Sequence, residues 1–384
     1  MRTLVGLAVA LVLLIVLTLL PLPLHPYLDF QVIFHADLGL LRGIAVYDHA
    51  GQVNMIAQLA KVTPEQVFVL PFPYPPWYAL VTVWLALLPI EVAARAWFGL
   101  NLIMLGLALW LLTYGLPRNK RLAFSLLAIV FPPALGSLFV GQYVFPVLLG
   151  MALLVAALRQ TKSWLIALSA ALLTFKPHLG GLILLIVAVY LWLRQDDMGR
   201  RSLWAGLGVG MLLFALGFMA SPAWPAAYLR SLTGFESIPG VQRCDQCASF
   251  PVTLANVVGG GFGPAVIAAA LLLAVLVTWL VKKWGRLTGE PALLIGVGVL
   301  MTLLVSPYLL NYDYVLLLVP FMVLAPEARG SDRVWLALAY VAPAVALSLS
   351  GTAGNMSLII SALVLAALMA RVVSRTVDRV PVPA

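Results

Sequence analysis

The residues able to do chemistry are few, and they fall into groups. Asp29 comes shortly after the apolar run Leu4 to Leu24, in His25-Pro26-Tyr27-Leu28-Asp29. A carboxylate where hydrocarbon gives way to water can act as general base on a hydroxyl. Asp is equally a preferred helix N-cap, and the roles are compatible because a cap fixes the carboxylate. Asp37 falls inside the apolar stripe Ile33, Phe34, Leu38 and Leu41 and needs a partner there: Arg42 or Arg95 in an ion pair, or a substrate. Asp48, after Tyr47, reads as a turn residue. Lys176, followed by Pro177 and His178, closes one apolar run and opens the next. An ammonium held there pairs with a phosphate or snorkels to the headgroups.

Aromatic and polar turns add to this set. Phe72-Pro73-Tyr74-Pro75-Pro76-Trp77-Tyr78 is a rigid entry to an apolar helix, either an interfacial aromatic belt or a lining for a sugar or polyprenyl head. Gly141-Gln142-Tyr143 and Ser306-Pro307-Tyr308-Leu309-Leu310-Asn311-Tyr312-Asp313-Tyr314 suit hydroxyl-rich ligands, or else satisfy backbone groups freed at helix junctions. Cys244-Asp245-Gln246-Cys247 has the spacing of half a zinc site, but there is no second cysteine pair, so a local disulfide is the better expectation in an oxidising compartment.

The elements that must position these residues follow from composition. The chain is 63% hydrophobic and 10% charged, with a mean hydropathy of +1.05; no aqueous fold hides that much apolar surface. Its apolar runs predict about twelve helical crossings, at 4–24, 93–115, 122–138, 143–158, 164–176, 178–194, 203–221, 264–281, 291–306, 314–326, 333–350 and 356–372. Basic clusters fall at every second junction, which places both termini in the cytoplasm and leaves Arg42, Lys61, Arg95, Lys176, Arg230 and Arg243 toward the outside. The net charge of +9 reflects these loops and excludes nucleic acid as an expected partner. Residues 75–89 are apolar, yet a full crossing there would invert every later loop, so they read as a short outer-leaflet or re-entrant helix. The outer loops 25–74 and 222–263 are too short for independent domains, which makes 1–384 a single membrane-embedded domain. Surface helices are expected in the first loop: Asp29 to Leu41, closed by Gly43, and about 51–61.

Taken in order, Asp29-Phe30, Tyr47-Asp48, Tyr74-Pro75-Pro76-Trp77, Gly141-Gln142, Phe175-Lys176-Pro177-His178-Leu179-Gly180, and Ser306-Pro307-Tyr308 leading to Tyr312-Asp313-Tyr314 resemble the motifs of glycosyltransferase family 87 over nearly the whole chain. These are multispanning enzymes of the GT-C fold with polyprenyl-phosphate sugars as donors. The resemblance implies an all-α GT-C bundle and an inverting transfer of a hexose, often mannose, or a pentose to a hydroxyl of a glycan or glycolipid acceptor. It implies Asp29 as catalytic base. Lys176 and Arg95 are placed to meet donor phosphate, and Asp37, Asp48, Tyr74, Gln142, His178, Tyr312 and Asp313 are the candidate substrate contacts. No cofactor is expected, and the resemblance does not decide whether a metal is required. The expected location is the bacterial inner membrane, with the site facing the periplasm or exterior. The competing reading is a transporter or flippase of a lipid-linked saccharide, although transporters keep charged groups near mid-membrane and here they cluster outside. A third is a non-catalytic scaffold.

Overall fold

The computed structural model of the protein describes residues 28–234, 247–259, 262–349 and 351–375. Every element in them is helical, with no strand among the described residues. This is what an apolar solvent demands, since a helix satisfies its peptide groups within itself. Helices stand at each expected run within the described residues; the run 4–24 lies outside them. Five are long and apolar enough to cross a bilayer: Ile90–Leu112, Pro177–Arg194, Asp197–Ala220, Gly263–Thr288 and Gly351–Arg375. The pair Arg118–Ile129 and Pro132–Phe139, bent by 57°, makes a sixth if counted as one broken span. Val144–Gln160, Ser163–Leu173, Pro291–Val305 and Asn311–Leu324 are apolar but shorter. By length and composition, five or six helices among the described residues are able to cross a membrane.

The chain divides into two compact units. The first comprises Met1–Leu105, Leu138–Phe145 and Leu207–Arg243. Its helix Leu28–Leu41 packs against His49–Ala60, Pro76–Thr82 and the 3-10 turn Val83–Leu87. Phe30, Val32, Ile33, Phe34, Ala36 and Asp37 are all buried, while Leu41 is exposed. The buried surface therefore wraps the helix instead of following the narrow stripe read from spacing, as expected of a helix enclosed on several sides. Gly43, at φ +75°, closes it: the Gly43 N–H donates to Leu40 and the Ile44 N–H to Gly39, the left-handed ending that glycine adopts without steric cost. Asp48 caps the next helix, its Oδ1 accepting from the Gly51 N–H at 2.9 Å. Pro76–Thr82 and Val83–Leu87 form a twelve-residue apolar stretch, about 18 Å long and too short to cross a bilayer core of about 30 Å. This is the short helix expected at 75–89.

The second unit comprises Gly106–Ser137, Pro146–Gly206 and Cys244–Ala384. Pro291–Val305 lies at its core, buried from Ala292 to Leu304 and packed against Phe262–Thr288, Pro177–Arg194, Leu318–Leu324 and Gly351–Arg375. Breaks between helices are satisfied by side chains. Pro132 has no N–H and Phe131 N–H donates to Ala128, so the Leu127 carbonyl loses its helical donor and takes the Tyr340 hydroxyl at 2.7 Å. Ser331–Ser348 and Gly351–Arg375 form a hairpin in which Asp332 receives Arg375 at 2.5 Å and Arg371 at 3.7 Å.

Gly180 shows how tightly this unit is built. A Cβ on it would overlap the Leu173 carbonyl oxygen, whereas one on Gly181 would meet nothing within 4 Å. Gly180→Ala is expected to destabilise by about 1–3 kcal/mol through backbone displacement, and Gly181→Ala to be neutral or stabilising by about 0.5–1 kcal/mol. Thermal unfolding of the two variants in detergent checks the pair.

Candidate active site

In the first unit, Asp29 lies in the first turn of Leu28–Leu41, inside the helix and half-buried. There a carboxylate faces the positive end of the peptide dipoles. Its backbone carbonyl accepts the Tyr143 hydroxyl. Tyr143 is wholly buried, with Tyr74, Tyr78 and Trp97 around its ring at 4.5, 5.4 and 6.2 Å. Tyr143 in turn sits in a turn that must be where it is. Gly141 has φ +72°, and a Cβ there would stand 2.9 Å from the Cβ of Phe30. The Trp97 indole donates to the Gly141 carbonyl at 2.9 Å, and the Asn101 amide approaches the Gln142 carbonyl at 3.4 Å. The turn Gly141-Gln142-Tyr143 thus seats the first turn of the Asp29 helix.

The other first-unit candidates divide. Tyr74 belongs to the aromatic cluster, and its carbonyl receives the Tyr47 hydroxyl at 2.7 Å. Gln142 is buried in the turn. Asp48 is exposed and occupied with capping. Arg95 makes no ion pair among the described residues, and its Nε is buried without a hydrogen-bond partner. A guanidinium in that condition is a ready anion donor. Asp37 has the position expected of it but not the partners: it is fully buried and pairs with neither Arg42 nor Arg95. Its Oδ1 lies 3.2 Å from Thr82 Oγ1, and Oδ2 has no partner. Burial holds its carboxyl well above the usual carboxylate range, the Thr82 contact acting the other way. Full burial also removes it from substrate in this conformation.

In the second unit, Lys176 lies in a non-helical link, φ −125°, before Pro177 opens the next helix. Neither role read for it from the sequence describes its state. The side chain is buried, and Nζ donates to Asp313 Oδ1 at 2.7 Å, the two side chains 4% and 1% exposed. Asp313 Oδ2 accepts the Leu310 N–H at 3.0 Å, so both carboxylate oxygens are engaged. Tyr312 places its ring 5.2 Å from the ammonium. His178 sits edge-on to Tyr308 at 5.8 Å, its Nε2 buried without a partner. The segment that carries Asp313 is held from the side: Ala248 N–H donates to Leu309 at 2.7 Å, the Tyr314 hydroxyl to Ala248 at 2.6 Å, and Ser249 Oγ to Pro307 at 3.1 Å. Cys247 is disulfide-bonded, and Cys244 lies outside the described residues. No group of three or more His, Cys, Asp or Glu among the described residues could hold a metal ion.

Trp97, Asn101 and Thr82 position candidate residues and carry no motif of their own. Asn101 and Thr82 could have been noticed as polar residues within apolar runs, which are costly unless satisfied.

Breaking the Lys176–Asp313 pair from one side leaves a buried charge. Lys176→Met is expected to cost about 3–5 kcal/mol. The double variant Lys176→Met/Asp313→Asn, which keeps an acceptor for Leu310 N–H, should recover most of that, as read in a double-mutant cycle of unfolding midpoints.

The sequence model of glycosyltransferase family 87 matches residues 72–307, more than half of the chain. The matched region contains Tyr74, Arg95, Gln142, Lys176 and His178, and leaves Asp29, Asp37, Asp48, Tyr312 and Asp313 outside it. No curated protein and no solved structure matches the chain.

Proposed function

The chain belongs to glycosyltransferase family 87, and from that membership we propose that it transfers a sugar, mannose or another hexose, from a polyprenyl-phosphate donor to a hydroxyl of a glycan or glycolipid. Asp29 is the general base. The acceptor oxygen attacks the anomeric carbon as Asp29 takes its proton, and the bond to phosphate breaks with its electron pair, so the polyprenyl phosphate leaves and the configuration inverts. The observation that carries this reading is the seating of Asp29: a half-buried carboxylate on a helical turn tied to Tyr143, in a unit otherwise rich in tyrosine and tryptophan. A base so fixed loses little orientational freedom when the acceptor arrives.

A departing phosphate needs positive charge near it. Of the two cations read for that role, Arg95 is the better suited, because its Nε is unpaired whereas Lys176 is already countered by Asp313. Tyr74, half-buried in the same unit, joins it as a substrate contact. The reaction belongs at headgroup depth on the outer face of a bacterial inner membrane, in a bundle of about twelve crossings, since a lipid-linked donor confines its reacting carbon there. The alternation of basic loops supports that sidedness.

With purified protein in detergent and a radiolabelled polyprenyl-phosphate sugar, Asp29→Asn is expected to lower kcat by about 10²–10⁴-fold while donor binding persists. Arg95→Met should weaken donor binding about tenfold or more through loss of a charge-assisted hydrogen bond. Wild-type turnover by Asp29→Asn would remove the base from the mechanism.

A further inference from the structure

Asp37 poses a bookkeeping problem. Thr82 Oγ1 lies 3.0 Å from the Tyr78 carbonyl and 3.2 Å from Asp37 Oδ1, yet a hydroxyl has one hydrogen to give. If Asp37 is ionised, Thr82 serves either the carboxylate or the carbonyl, and Oδ2 remains a buried charged oxygen without a partner. If Asp37 carries a proton on Oδ1, the three groups line up: the acid donates to Thr82, Thr82 donates to Tyr78, and Oδ2 is left as a carbonyl oxygen, far cheaper to bury unpaired than a carboxylate oxygen.

We infer that Asp37 is a neutral carboxylic acid that clips the Asp29 helix to the Pro76–Thr82 helix through the relay Asp37 to Thr82 to the Tyr78 carbonyl, and that it is a positioning residue whose ionisation releases the helix carrying the base. The surroundings offer nothing to stabilise a charge. Val83–Leu87 has no titratable side chain. On Pro76–Thr82 the nearby group is the Tyr78 phenol, whose own ionisation Asp37 opposes. His49, on the third packed helix, is turned to the Val69 carbonyl at 2.8 Å. On its own helix stand Asp29 and His35, the latter pushed down by burial to about 4 and so neutral. Arg42, Lys61 and Arg95 form no ion pair with it among the described residues, and neither does any other cation. Burial raising the carboxyl is consistent with the same state.

The sign follows from linkage. A group that binds its proton more tightly when folded costs no stability below the unfolded carboxylate value of about 4, and stability is lost progressively as pH rises from there to the folded value. Above the folded value the clip opens, and transfer falls by at most about tenfold per pH unit for one ionisation.

The test compares wild type, Asp37→Asn and Thr82→Val in detergent from pH 4.5 upward, reading the unfolding midpoint and, separately, sugar transfer. Asparagine keeps the shape and can donate to Thr82 without a charge to lose. Its midpoint should exceed that of wild type by a margin that widens with rising pH and closes toward pH 4.5, and its transfer activity should extend to higher pH. Thr82→Val should destabilise most at low pH, where the acid loses its acceptor. A midpoint gap that does not change with pH, a Thr82→Val loss that grows with pH, or a folded Asp37→Asn inactive at every pH would overturn the inference. The activity arm rests on the proposed sugar transfer, but the midpoint arm does not. If wild type transfers no sugar while the midpoint gap still opens with pH, the transferase reading fails and the neutral clip stands.

Discussion

Inside a bilayer a peptide group that leaves its helix has no water to turn to, and several of the candidate residues, Gln142, Lys176 and Asp313 among them, sit where that problem has been solved. The chain breaks its helices at 129–132, 139–144, 173–177 and 305–311. At each break, side chains take the place of solvent. Tyr340 serves Leu127, Trp97 serves Gly141, and Ser249 and Tyr314 stitch Pro307 and Ala248 into the stretch before Asp313. Polar side chains in the hydrocarbon region are expensive. A break that already needs them is therefore the least costly place to keep a reactive group, and chemistry and architecture converge on the same few turns.

The same economy separates the charged residues by role. Asp48 caps a helix, Asp332 receives two arginines, and Asp313 is closed by Lys176 and the Leu310 amide. Each of these charges is met by a fixed partner and gains little from a ligand. Arg95 differs: its Nε is buried with its N–H unmet. A group that the fold leaves incompletely satisfied is the one with binding energy still to give.

Much of this was visible in the sequence, and the rest was hidden for definite reasons. Helix positions, the closing glycine at 43 and the short apolar stretch at 75–89 are local matters of run length, glycine conformation and proline placement. They read directly. Family membership was legible from the order of short motifs. Side-chain partnerships were not, because they join residues far apart in the chain: Lys176 to Asp313, Thr82 to Asp37, Tyr143 to Asp29. Spacing marked Asp37 as a charge in an apolar stripe and so called for a cation or a substrate, but the partner it has is a hydroxyl. Likewise, Lys176 at a helix end invited a headgroup or phosphate contact, while its burial and its acid came from a segment that local pattern could not connect to it. The glycine of Phe175-Lys176-Pro177-His178-Leu179-Gly180 could be read as a motif letter only; its reason, a carbonyl of the preceding helix pressed against it, is a matter of packing.

The hairpin Ser331–Ser348 and Gly351–Arg375 bears on the order in which the second unit comes together. Its contacts are close in sequence, Ser361 to Ala339 and Arg375 to Asp332, so joining its arms costs little chain entropy and needs no other part of the protein. The buried helix Pro291–Val305 is in the opposite position. Gly296 on that helix leaves a notch filled by Met369, whose terminal methyl would stand 2.8 Å from any Cβ there. A helix made earlier thus waits for one made later to cover it. The packing around Pro291–Val305 is therefore complete only when the hairpin has docked on it.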